Sequence, residues 1–220
     1  MELRTAKNAV DHLVLGVNDL QSGIKWFEQQ TGICAAIGCS HPGKGTQNAL
    51  VSLGNDDCQQ YLEIIAPDPR QTEHELAAEL LTLATPRLVL WASATIEMEV
   101  ITDEAKTVGF ITNGPTDGSR KRPDGNVLKW QLLNVARETE KELRYFNLLP
   151  FFIQWDKDSL HPSQDSPAGC QLVSLEFAHP DAEAMTAAMN SLGIKACVSK
   201  ASAPAIIATL QTPKGEIELV

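Results

Sequence analysis

The chain has 220 residues, of which 43% are hydrophobic, and a formal net charge of −10; that length carries one large domain or two small ones. The acid excess argues against a broad nucleic-acid footprint, which needs a basic face. No apolar run approaches the ~18 residues that span a bilayer, and the first ten residues carry Glu2, Arg4 and Lys7 where a leader would be apolar, so a cytoplasmic protein with no membrane partner is expected.

In chain order, Asp11 to Val17 is short, apolar and β-branched and reads as a strand. Asn18-Asp19 can cap the helix that follows, whose apolar stripe is Ile24, Trp26 and Phe27 and whose stop is Gly32. Three strands come next: Cys34 to Gly38, Asn48 to Leu53 closed by Gly54-Asn55-Asp56, and Gln60 to Ala66 closed by Pro67. The order is β-α-β-β-β.

That order returns. Leu88-Val89-Leu90 repeats Leu13-Val14-Leu15, a helix is expected from Ile96 to Val108 with Gly109 as its stop, and strands from Phe110 to Asn113, Val127 to Leu133 and Phe151 to Trp155. Pro123-Asp124-Gly125 makes the turn before Val127, and Arg137 to Leu143 reads as a helix or a charged loop. A third pass begins with a strand from Leu172 to Ala178. His179-Pro180-Asp181 opens a helix with the apolar face Ala184, Met185, Ala188 and Leu192, stopped by Gly193. Strands at Lys195 to Ser199, Ala205 to Leu210 and Glu216 to Val220 follow, the last two joined by Pro213-Lys214-Gly215. The expected division is a first module at 8–67, a helical linker at 68–86 with a helix from Glu73 to Leu83, a second module at 87–156, a polar linker at 157–169 and a third module at 170–220. The fold class is α+β, with βαβββ modules on mixed sheet. Five cysteines without a Cys-x-x-Cys spacing suggest neither a disulfide framework nor a zinc knuckle.

Four stretches together resemble the glyoxalase-like domains of the vicinal-oxygen-chelate superfamily. They are Asp11-His12-Leu13-Val14; His41-Pro42-Gly43-Lys44-Gly45-Thr46-Gln47-Asn48-Ala49-Leu50 leading to Tyr61-Leu62-Glu63; Ser119-Arg120-Lys121-Arg122-Pro123-Asp124-Gly125 with Trp130; and Pro150 to Trp155 followed by His161-Pro162. The resemblance implies paired modules whose sheets form a cup with helices outside, and one divalent ion (Zn, Mn, Fe, Ni or Mg) that stabilises an anionic intermediate on a small, oxygen-rich ligand. It carries over His12 and Glu63 as metal ligands, with Glu63 also a general base.

Both residues are polar groups inside apolar strands, where burial without a partner is costly. A shared metal would satisfy them; so would a direct His–Glu hydrogen bond. The second module puts Arg87 in the slot of His12 and Gln154 near that of Glu63. A guanidinium cannot ligate a cation, so pairing of the first two modules favours an anionic ligand held by Arg87 without metal. Pairing with the third module would instead offer Glu218 to His12 and Glu63. Further candidates for contact with a small-molecule ligand are His41, Thr46 and Asn48 around a Gly-rich loop, Trp91 beside Trp130 and Trp155 as an apolar wall, Arg120 as a carboxylate contact, and His161 as a residue closing from a loop. The chemistry expected is of lyase, isomerase or dioxygenase type, with a metal-free binding protein as the alternative and a homodimer as the expected assembly.

Overall fold

A computed structural model describes residues 3–54, 58–72, 74–121, 125, 127–138 and 148–220. The turn residues Asn55 and Asp56, the expected helix start Glu73, Arg122 with Pro123 and Asp124, and the stretch from Arg137 beyond Glu138 lie outside the described residues. Elements follow as β1 (Arg4–Thr5), α1 (Ala6–Ala9), β2 (Val10–Gly16), α2 (Leu20–Thr31), β3 (Ala36–His41), β4 (Thr46–Ser52) and β5 (Tyr61–Pro67). After α3 (Glu75–Leu81) come β6 (Arg87–Ala94), α4 (Met98–Thr107), β7 (Ile111–Lys121), β8 (Val127–Ala136) and β9 (Phe151–Trp155). The last part contains β10 (Gln171–His179), α5 (Ala182–Ser191), β11 (Ile194–Lys195), β12 (Cys197–Lys200), β13 (Ala205–Thr212) and β14 (Gly215–Leu219). The class is α+β on mixed sheet, as expected, and the β-α-β-β-β order recurs.

The chain divides into two compact units, each drawn from three separate segments. One unit holds residues 12–89, 162–175 and 206–220. Its strands run β3-β4-β5-β2, with β2 parallel to β5 and β4 antiparallel to both of its neighbours. Leu13, Leu15, Leu62, Ile64, Ala49 and Val51 share one face by alternation and register, and none is more than 1% exposed. His12, Tyr61, Glu63, Leu50 and Asn48 therefore share the opposite face.

Helix α2 packs against β4 and β5 through Leu20, Ile24 and the fully buried Phe27. Asp19 caps it by accepting the Ser22 N–H at 2.8 Å, which holds its carboxyl below the usual range. Gly32 closes it at φ 83°, in the left-handed region. At Gly23 the helix closes on Val17, the residue after β2, where a Cβ would stand 2.8 Å from its side chain.

The other unit holds residues 1–11, 90–161 and 176–205. Its strands run β6-β9-β8-β7, with β6 parallel to β9 and the rest antiparallel. The fully buried Phe152 and Leu133 face each other across β9 and β8, and Trp130 is registered with Trp155. In the same unit β10 and β12 pair in parallel over Glu176–His179 and Cys197–Lys200.

Several spans differ from the sequence expectation. The strand expected at Cys34 to Gly38 begins at Ala36 and continues to His41 through a bulge between Ile37 and Ser40. The one expected at Phe110 to Asn113 extends to Lys121, because a bulge between Asn113 and Thr116 accommodates Pro115, which has no N–H to donate. The strand around Leu88 runs from Arg87 to Ala94, and Lys195 to Ser199 divides into β11 and β12. The linker helix spans Glu75–Leu81 rather than Glu73 to Leu83.

Candidate functional site

Five of the nominated residues meet on one face of the first unit. His12 comes from β2, Glu63 from β5, Asn48 and Thr46 from β4, and His41 from the end of β3. The Nε2 of His12 lies 3.8 Å from Glu63 Oε2, and that of His41 lies 3.6 Å from Glu63 Oε1. These separations are too long for hydrogen bonds. The hydrogen bond to the carboxylate comes from Asn48, whose Nδ2 donates to Oε1 at 2.7 Å. His41 is oriented from behind: its Nδ1 and the Thr46 hydroxyl are 2.8 Å apart. Glu63 is 13% exposed, His12 5% and His41 26%, so the carboxylate is sheltered but reachable.

Tyr61 belongs to the same face and is not among the nominated residues. Its ring stacks on His12, centroids 4.5 Å apart and planes inclined by 21°. It sits two residues before Glu63, so the period of a strand places both on one face; the contact with His12 needs the β2–β5 register.

The loop carrying His41 is fastened by Asp68, which is 3% exposed. Asp68 accepts hydrogen bonds from Arg70 Nε at 2.9 Å, from the Arg70 N–H, from Gln71 Nε2 at 3.0 Å and from the Ser40 hydroxyl. Arg70 and then Ser40 hold its carboxyl well below the ordinary aspartate range. Gln71 accepts from the Gly43 N–H, and Asp68 N–H donates to Gly45 O, so the Gly-rich turn is pinned at both ends.

Of the remaining nominated residues, Arg87 and Glu218 belong to the same unit, and Gln154, Trp91, Arg120 and His161 belong to the other. Arg87 is the exposed first residue of β6. Glu218 is exposed on β14, opposite Thr209 in the β13–β14 hairpin. Gln154 spends its Oε1 on the Met98 N–H, at 2.8 Å, which caps α4. Trp91 is 0% exposed; it packs on Phe177 and donates to Leu148 O at 2.8 Å, as a core indole does. Arg120 is half-buried on β7, opposite Leu128. His161 is 5% exposed and its Nε2 lies 3.2 Å from Asp11 Oδ2, which also accepts from Trp155 Nε1 at 2.9 Å.

These placements bear on the divalent ion that the resemblance implies. Among the described residues, no three His, Cys, Asp or Glu side chains are grouped so as to hold a metal. Glu218 is not brought to His12 and Glu63 as a third ligand. The Asn48 amide donates into one oxygen of Glu63, and the Gln154 oxygen is already engaged. His12 and His41 flank the Glu63 carboxylate at 3.8 and 3.6 Å, but the described residues form no metal-holding group.

Repeated β-α-β-β-β order, with an imidazole on the first strand beside a carboxylate on the last strand of the same module, defines a protein of the vicinal-oxygen-chelate class. The model of the family described as Glyoxalase-like domain matches residues 10–193, and the chain belongs to that family. No curated protein matches. Among solved structures, a hypothetical protein from Staphylococcus aureus is similar at 11% identity, covering 96% of this chain and 98% of its own, with a TM-score of 0.69. Streptomyces coelicolor methylmalonyl-CoA epimerase, as a variant in complex with 2-nitronate-propionyl-CoA, is similar at 12% identity over 70% of this chain and 99% of its own, with a TM-score of 0.50. A second variant of that epimerase, in the same complex, gives the same identity, coverage and TM-score. At these identities the likeness is one of fold.

Among the described residues no helix is long and apolar enough to cross a membrane.

Proposed function

We propose that this protein is a small-molecule enzyme in which Glu63 transfers a proton to or from an oxygen-rich or carboxylate-bearing metabolite, in an isomerase- or lyase-type reaction. The observation that carries the reading is the convergence of His12, His41 and Asn48 on one sheltered carboxylate. A carboxylate held by a buried amide, with two imidazoles within 4 Å, can take a proton from carbon, becoming the neutral acid while the substrate carries the anionic charge, and return the proton. The reading routes nothing through a metal, because the described residues form no metal-holding group. Acyl thioesters are the first substrate class to try, since the epimerase named among the fold neighbours carries a CoA ester.

Incubation with a panel of acyl thioesters and 2-oxo or 2-hydroxy acids in D2O, followed by proton NMR, reads the chemistry directly. The expected result is Glu63-dependent exchange of a carbon-bound hydrogen, at least tenfold slower in Glu63→Gln. Metal analysis of tag-free protein accompanies it. A stoichiometric divalent ion that is lost in both His12→Ala and Glu63→Gln would overturn the metal-free mechanism. Exchange equally fast in Glu63→Gln would overturn the role of the carboxylate.

The exposed guanidinium of Arg87 at the start of β6 favours one second reading, a protein that binds an anionic metabolite without turnover and uses Arg87 as anchor. Its mark is a ligand-dependent rise in melting temperature that is lost in Arg87→Ala, with no exchange in D2O.

A further inference from the structure

We propose that Asn48 and Gly38 are positioning residues that fix the Glu63 carboxylate, with Gly38 acting through Asn48. The inference rests on the reading of Glu63 as the reacting group; it gives Asn48 a positioning role and brings in Gly38 behind it.

The argument begins with the buried amide. Asn48 is 4% exposed, so both ends of its side chain need partners. Its Oδ1 accepts the backbone N–H of Cys39 at 2.8 Å. Cys39 lies in the β3 bulge between Ile37 and Ser40, where that N–H is turned toward β4. Because a carbonyl oxygen must face this donor, the amide has one orientation, and its Nδ2 is left facing Glu63 Oε1 at 2.7 Å. A charge-assisted bond of this length fixes which way the carboxylate points. Oε1 is tied to Asn48, and Oε2 is the oxygen on the His12 side.

Gly38 makes the arrangement possible. A Cβ at position 38 would stand 2.2 Å from Asn48 Oδ1 and 3.1 Å from its Cγ. No side-chain contact at that distance survives, and the group in the way is short, with its oxygen already bonded. An alanine at 38 therefore pushes the Asn48 amide off Glu63 without approaching Glu63 itself. The bulge, the glycine and the buried amide act as one device that presents one N–H to one carboxylate oxygen.

The test reads Glu63 in the full-length chain, through the carbon-13 resonance of its side-chain carboxylate at fixed neutral pH, assigned with Glu63→Gln. Asn48→Ala and Gly38→Ala are each expected to move that resonance toward the position of a freely hydrated glutamate. In the double variant Gly38→Ala/Asn48→Ala, the Gly38 substitution is expected to add nothing, because the group it displaces is gone. Asn48→Asp guards against loss of fold: it keeps an oxygen for the Cys39 N–H and replaces only the donor, and is expected to move the Glu63 resonance while the Cys39 amide stays protected from exchange. An unmoved Glu63 resonance in Asn48→Asp and Asn48→Ala overturns the role of Asn48. A Gly38→Ala effect of equal size with and without Asn48 overturns the route through Asn48. None of these readouts depends on turnover, so they stand or fall separately from the proposed chemistry.

Discussion

His161 supplies a sharp test of whether a nominated residue serves ligand or fold. It lies in the loop after β9 and could close over a ligand; the structure instead pairs it with Asp11, 150 positions away in sequence. Asp11 is 1% exposed and His161 5%, so the pair is out of water. Removing one partner of a buried hydrogen bond to a charged group costs about 1.5–3 kcal/mol. Here Trp155 Nε1 stays on the same Asp11 oxygen at 2.9 Å, which places the loss near the lower end of that range. For a chain of this size each kcal/mol moves the melting temperature by about 2–4 °C, so a loss of about 1.5 kcal/mol in His161→Ala should lower it by about 3–6 °C. The assay is a thermal melt at neutral pH, with Asp11→Asn alongside. That variant keeps an oxygen for Trp155 and should lose less than His161→Ala combined with it. A melting temperature within about 2 °C of wild type would refute the anchoring role and return His161 to the ligand.

Other predictions follow from groups whose surroundings are equally specific. The Asp68 carboxyl is depressed by Arg70 and Ser40, so its stabilisation is complete above the unfolded value of about 4 and is lost as pH falls below it. Asp68→Asn should be less stable than wild type at pH 7, with the gap narrowing in urea melts taken below pH 4; parallel curves would count against the network. The Cys170 thiol is pushed up to about 11, chiefly by burial and against a hydrogen bond to Thr31. Its contribution is therefore present below the unfolded value and lost as pH rises toward 11. At pH 8 iodoacetamide should modify the exposed Cys34 and Cys197 and spare Cys170 in the folded protein, as peptide mass spectrometry can show. Gly118→Ala would drive a Cβ to 2.3 Å from Trp130 Nε1. Overpacking of this kind costs about 1–3 kcal/mol, and indole fluorescence should change with it; an unchanged spectrum and melt would show that β7 yields freely there.

Much of the first module was legible because its signals are local. Asp19 and Gly32 bound α2 through their own side-chain and backbone preferences, and strand alternation alone puts Leu13 and Leu15 on the face opposite His12. Polar residues inside apolar strands marked His12 and Glu63 for the same reason: burial demands partners. The identity of those partners was not local. Glu63 meets His41 and Asn48 only through the β3-β4-β5 register and a bulge that no single-strand pattern announces. Tyr61 gains its place on His12 from a parallel pairing between segments nearly 50 residues apart.

For the later segments the sequence determined residue types and element order, and the tertiary structure decided employment. Gln154 looked like a ligand slot until α4 began beside it and took its oxygen. Glu218 repeats the chemistry of Glu63 along the chain but ends exposed on a hairpin, where its charge is hydrated. Periodicity sets which face of a strand a residue occupies. Which groups share that face, and whether a buried polar atom is satisfied by a capped helix, an ion pair or a ligand, depends on contacts between segments far apart in sequence, and only folding establishes those.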